Sequence, residues 1–92
     1  MKTINIKLPI SSVQEMDDRG QLNPYYITDF ISKNLEHQPE DKPLGRLAFY
    51  YALKVTDELH YNISVRAKEE GLAMSEFLGR LFLSLYDEVK SL

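Results

Sequence analysis

Apolar and polar residues alternate at the start of the chain. Ile4, Ile6 and Leu8 are interleaved with Thr3, Asn5 and Lys7. A period of two predicts a half-buried strand with one apolar and one polar face. Pro9 ends it, because proline has no N–H to donate. Ser11 and Ser12 are each followed three residues later by a capping-box partner, Gln14 and Glu15. This predicts a helix starting there and running through Val13 and Met16 to about Arg19, with Gly20 as its stop. Asn23-Pro24 supplies an N-cap and a proline at the first helical position. A second helix is therefore expected from Pro24 to Leu35, with Ile27, Phe30, Ile31 and Leu35 at helical spacing.

The same order then recurs. Residues 36–46 are polar, with Pro39, Pro43 and Gly45, and read as a linker. Leu47 to Val55 is rich in aromatic and β-compatible residues and reads as a strand. Thr56 is a good N-cap, and Asp57 and Glu58 follow where the helix dipole favours acids. Leu59, Ile63 and Ala67 share one face of the resulting helix, and Gly71 terminates it. From about Met74 a last helix carries Met74, Phe77, Leu78, Leu81, Leu85 and Val89 on one stripe. Phe82 and Tyr86 widen that stripe beyond what one small neighbour would cover. The chain reads strand–helix–helix, linker, strand–helix–helix, and a two-unit repeat implies a pseudo-symmetric pair.

Composition narrows the function classes. The 92 residues suit one small domain, and an apolar fraction of 43% supplies a core. The absence of cysteine excludes disulfide scaffolds, thiolate metal sites and cysteine nucleophiles. No apolar run approaches membrane-spanning length and no signal segment opens the sequence, so a cytoplasmic protein with no membrane partner is expected. The net charge is −3 and neither half is a basic block, so any nucleic-acid binding has to come from a local patch.

Two stretches carry a family likeness. In the second half they are Lys54-Val55-Thr56-Asp57-Glu58-Leu59 and Arg66-Ala67-Lys68-Glu69-Glu70-Gly71-Leu72-Ala73-Met74-Ser75-Glu76-Phe77-Leu78. They combine a strand ending in a capping residue, a helix stopping at glycine, a short turn and a helix opening with Ser-Glu-apolar. In the first half, Lys7-Leu8-Pro9 and Gly20 match the strand end and the turn more loosely. The turn is about one residue longer there, and no Ser-Glu pair follows. The layout resembles, twice over, the ribbon-helix-helix family of DNA-binding proteins. Members of that family are obligate homodimers whose paired strands enter the major groove. The resemblance implies a mainly α fold with a short two-stranded antiparallel β-ribbon, built as a tandem ribbon-helix-helix, single-chain pseudo-dimer. Its units would be 1–35 and 47–92, joined by the linker 36–46 around one shared core.

The resemblance also assigns candidate residues. The outward face of the strands would read bases: Thr3, Asn5 and Lys7 in the first unit, Tyr50, Ala52 and Lys54 in the second. Asn can contact adenine bidentately, Lys can donate to guanine O6 or N7, and the Thr methyl can touch thymine. Tyr50 and Ala52 are less usual readers, so the preferred site need not be palindromic. The plainer alternative is an amphipathic strand with a solvated polar face. The second helix of each unit would offer backbone N–H groups to phosphate around Asn23 and around Ala73, Met74 and Ser75, or these residues are helix caps alone.

The remaining features point elsewhere only faintly. His37 and His60 have no partner at metal-ligand spacing, and no cofactor or metal is expected. Asn62-Ile63-Ser64 matches a glycosylation acceptor but falls inside a predicted helix. No phosphate loop, nucleophile elbow or paired catalytic carboxylate can be made out, so an enzyme is not expected. The leading expectation is a sequence-specific transcriptional repressor whose partner is double-stranded DNA, with self-association on DNA as a further feature. The alternative is an antitoxin-like or other protein-interaction module holding a partner such as a toxin. The last helix is expected to run to about Lys90, so no tail of the kind family antitoxins use is expected, which lowers that alternative. A third reading is a helical assembly protein that binds no DNA.

Overall fold

The computed structural model describes residues 1–39, 41 and 48–90, excepting the side chains of 9, 11, 12, 48 and 85–90. Leu47, the second half of the predicted linker and the side chains of Leu85, Tyr86 and Val89 therefore lie outside the described residues. Strand β1 (Lys2–Pro9) pairs antiparallel with strand β2 (Ala48–Val55) inside the one chain. Helices α1 (Ile10–Asp18) and α2 (Pro24–Asn34) follow β1, and α3 (Asp57–Glu69) and α4 (Met74–Lys90) follow β2.

Three of the four predicted helix starts hold: α2 and α3 follow the capping residues Asn23 and Thr56, and α4 opens at Met74. Thr56 Oγ1 accepts from the Leu59 N–H at 3.1 Å, and Asn23 Oδ1 accepts from the Tyr26 N–H at 2.9 Å. The exception is α1, which opens at Ile10 directly from the strand. Ser11 and Ser12 thus lie inside its first turn and do not precede it. The fixed φ of Pro9 suits both a strand end and the entry to a helix, so no separate capping residue intervenes.

Helices α1 and α3 stop in the same way. Gly20 and Gly71 both have φ +70°. The Gly20 and Gln21 N–H groups donate to Asp17 and Met16 carbonyls at 3.0 and 2.8 Å, and the Gly71 and Leu72 N–H groups donate to Lys68 and Ala67 at 3.1 and 2.9 Å. Both are Schellman motifs, with glycine in the left-handed conformation that an L side chain resists. Nothing lies within 4 Å of a Cβ built on Gly71, so a side chain there meets only the backbone penalty. Gly71→Ala should lower stability by about 1–2 kcal/mol, and Gly71→Asn by less. Denaturant midpoints check this, and equal midpoints for the wild type and the Ala variant would contradict it.

One core serves both halves. Alternation puts Ile4, Ile6 and Leu8 of β1 and Leu53 and Val55 of β2 on the inner side of the ribbon, all buried. Met16, Ile27 and Ile31 come in from α1 and α2, and Ile63, Ala67, Phe77, Leu78, Leu81 and Phe82 from α3 and α4. The wide stripe on α4 needs no second molecule at Phe82. That ring stacks on Phe30 of α2, with centroids 4.3 Å apart and planes 16° apart. The described part of the predicted linker is not a free spacer either. Pro39 is buried, Gln38 Nε2 donates to Glu70 at 3.0 Å, Ser84 donates to the Gln38 carbonyl at 3.2 Å, and Arg80 donates to the Asp41 carbonyl at 3.1 Å. No described helix is long and apolar enough to cross a membrane.

Candidate nucleic-acid interface

The register of the ribbon assembles the outward residues. Thr3 faces Lys54, Asn5 faces Ala52, and Lys7 faces Tyr50. Cross-strand partners share a side of the sheet, so all six predicted readers lie on one face, opposite the core. Thr3, Asn5, Ala52 and Lys54 are exposed, as is Tyr50 at 58%. Lys7 and Lys54 stand toward opposite ends of this face, about 13 Å apart along the strand direction at roughly 3.3 Å per residue.

The two lysines differ in their surroundings. Lys54 forms no ion pair among the described residues. Lys7 Nζ lies 3.6 Å from Glu76 Oε1, and the two side chains are only 23% and 20% exposed. Glu76 stands in the first turn of α4, where its charge complements the helix dipole. Its other oxygen, Oε2, lies 3.5 Å from Arg80 Nε. Lys7 is therefore drawn off the ribbon face toward α4, which an alternating pattern could not reveal. The Ser75-Glu76 pair was visible in the sequence as a helix-start signature. The long-range partner of Glu76 was not.

The predicted phosphate contacts sort into backbone and side-chain parts. Asn23 spends its amide locally: Oδ1 caps α2, and Nδ2 donates to the Gly20 carbonyl at 2.8 Å. Met74 packs against the core, so only its backbone N–H could serve an anion. Ser75 is half-buried at the start of α4. Beside the Lys54 end of the ribbon lies an open groove of about 780 Å³ between α2 and the first turns of α3. Pro24, Tyr25, Leu35, Val55 and Leu59 supply its apolar lining, and Tyr25 is 88% exposed. Sequence reasoning missed this groove, because it arises from the spacing between α2 and α3.

Away from the ribbon, Arg66 is the most heavily engaged side chain among the described residues. Its Nε donates to the Leu35 carbonyl at 2.7 Å, one terminal nitrogen donates to the His37 carbonyl at 3.3 Å, and the other meets Glu69 and Glu70 at 2.9 and 3.2 Å. Its guanidinium also lies 5.5 Å from the centre of the Phe77 ring. Burial pulls the Arg66 pKa down, but the hydrogen bonds and charges of Glu69 and Glu70 outweigh it and hold the group above its ordinary value. Among the described residues no group of three His, Cys, Asp or Glu side chains is arranged to hold a metal. Comparison of the chain with protein-family models, curated proteins and solved structures gave no match.

Proposed function

We propose that this protein is a tandem ribbon-helix-helix, single-chain pseudo-dimer that binds double-stranded DNA as a sequence-specific repressor. The observation that carries this reading is the outward ribbon face, on which Thr3, Asn5, Tyr50, Ala52 and Lys54 are exposed and Lys7 is half-buried beside Glu76. The antiparallel pairing within one chain, the repeated order of elements and the twin glycine stops of α1 and α3 support it. Two strands about 4.8 Å apart fit a major groove about 12 Å wide. Asn5 at the centre of the face would contact adenine, Thr3 a thymine methyl, and Lys54 guanine O6 or N7. Tyr50 and Ala52 would make packing contacts. The N-termini of α2 and α4 would hold phosphates on the flanks through backbone N–H groups.

The test is selection from randomised duplexes, followed by affinity measurements on selected and random DNA. Asn5→Ala should cost about 1–3 kcal/mol on the selected site and little on random DNA, because base contacts carry the sequence information. Ser75→Asp should weaken binding to all sequences, because it sets a negative charge beside phosphate. If Asn5→Ala and Lys54→Ala both leave specific binding unchanged, the ribbon is not the reading surface.

One observation favours a second reading, a protein-interaction module of the antitoxin-like kind. The groove between α2 and α3 is open and largely apolar, and the exposed Tyr25 ring stands at its edge. A chain that binds no duplex at any salt concentration would bring this reading forward.

A further inference from the structure

The contact between Lys7 and Glu76 joins two parts of the proposed DNA face: a ribbon cation and the first turn of the helix that would grip phosphate. Glu76 has two cations and needs only one. Lys7 Nζ lies 3.6 Å from Oε1, and Arg80 Nε lies 3.5 Å from Oε2. Neither Glu76 Oε2 nor Arg80 Nε has a hydrogen-bond partner among the described residues, although both atoms are buried. Arg80 is itself anchored, donating to the Asp41 carbonyl at 3.1 Å. If Lys7 departs, Glu76 keeps a neutralising partner, and a small closure of the gap to Arg80 makes a hydrogen bond that is absent while Lys7 is held. That compensation lowers the cost of release. Lys54, at the corresponding strand end, forms no such contact, so the device belongs to one end of the ribbon.

Resting on the DNA-binding reading, we infer that Glu76 is an internal competitor of the DNA backbone for Lys7. In the free protein Glu76 holds Lys7 against α4. On a duplex, Lys7 exchanges from the carboxylate to a backbone phosphate, and Arg80 takes over Glu76. The contact lowers affinity for all DNA, because a phosphate must displace a carboxylate already in place. It therefore raises the share of binding that base contacts at Asn5 and Lys54 decide. Glu76 acts through Lys7 and is a positioning residue.

The experiment compares wild type, Glu76→Gln, Lys7→Met and the double variant on random duplex across a salt series. Thermal melts establish that each variant is folded. Lys7→Met should make the log–log salt slope shallower by about 0.9, and Glu76→Gln should bind roughly three- to tenfold tighter at low salt with the wild-type slope, because Lys7 neutralises one phosphate in both wild type and Glu76→Gln. Lys7→Met should abolish that gain in the double variant. A gain that survives Lys7→Met would mean that Glu76 merely repels DNA, and the inference fails. It also fails if wild type binds DNA and Glu76→Gln binds no better. A readout without DNA runs alongside: acylation of Lys7, mapped by mass spectrometry, should be faster in Glu76→Gln than in wild type, with Lys54 unchanged as the internal control. Equal Lys7 rates overturn the inference whatever the DNA result. If Lys7 reacts faster but no variant binds any duplex, the DNA-binding reading itself falls and the competition with phosphate falls with it.

Discussion

Leu81→Ala should cost about 2–5 kcal/mol of folding stability, as buried leucine truncations do. Leu81 is fully buried near the middle of the α4 face that packs on the ribbon, and Phe77, Leu78 and Phe82 surround it on the same helix. The cost has two parts: lost transfer of the deleted methyl groups, and a cavity that rigid strands on the other side cannot close. A 92-residue domain has only about 5–15 kcal/mol of net stability, so the variant should melt many degrees lower and populate unfolded chain. Calorimetry or circular dichroism measures this. A melting temperature within a degree or two of wild type would mean that Leu81 is not a core residue.

Arg66→Met should be the most damaging substitution of a polar side chain, at about 2–4 kcal/mol. The carbonyls of Leu35 and His37, just past the end of α2, lose a charged donor, and one bond to a charged group is worth about 1.5–3 kcal/mol. The contact with the Phe77 ring adds about 0.5–1 kcal/mol. Methionine keeps much of the aliphatic bulk, so the loss reports chiefly on the guanidinium. Because the Arg66 pKa is raised, its share of stability is complete at neutral pH and disappears only in strong base, as pH rises through the folded value. Lys should rescue little, since a point charge cannot span the Leu35 carbonyl and the Glu69 and Glu70 carboxylates at once. Hydrogen exchange at the end of α2 and the start of the following segment would localise the effect. Protection unchanged there in Arg66→Met would rule out the tie between α2 and α3.

Periodicity and capping carried most of the architecture. Alternation at Ile4, Ile6 and Leu8 was enough to define a strand and its inner face, because a period of two admits only two assignments. Asn23, Thr56, Gly20 and Gly71 marked helix ends because their side chains, or the lack of one, satisfy local backbone needs. The same logic failed at Ser11 and Ser12. A capping signature says that a helix start is near but not whether the preceding strand feeds straight into it. At Phe82, a stripe too wide for one neighbour shows that a further surface is needed but not which surface supplies it. Only the approach of α2, bringing Phe30 over that ring, shows that the chain covers the stripe itself there.

The candidate site divides along the same line. By itself the sequence determined which residues alternate outward, because the inward set is apolar and the outward set follows by parity. It also determined that few cations are available to a chain of net charge −3. The tertiary structure decided the pairing of Asn5 with Ala52 and of Thr3 with Lys54, since register depends on how two distant segments meet over a shared core. It alone decided that Lys7 is held by Glu76 while Lys54 is not, that Arg66 ties α3 to the end of α2, and that a groove lies between those two helices. Each is a contact between residues far apart in the chain. Local periodicity carries no information about such contacts, because their distances are fixed only when the elements pack.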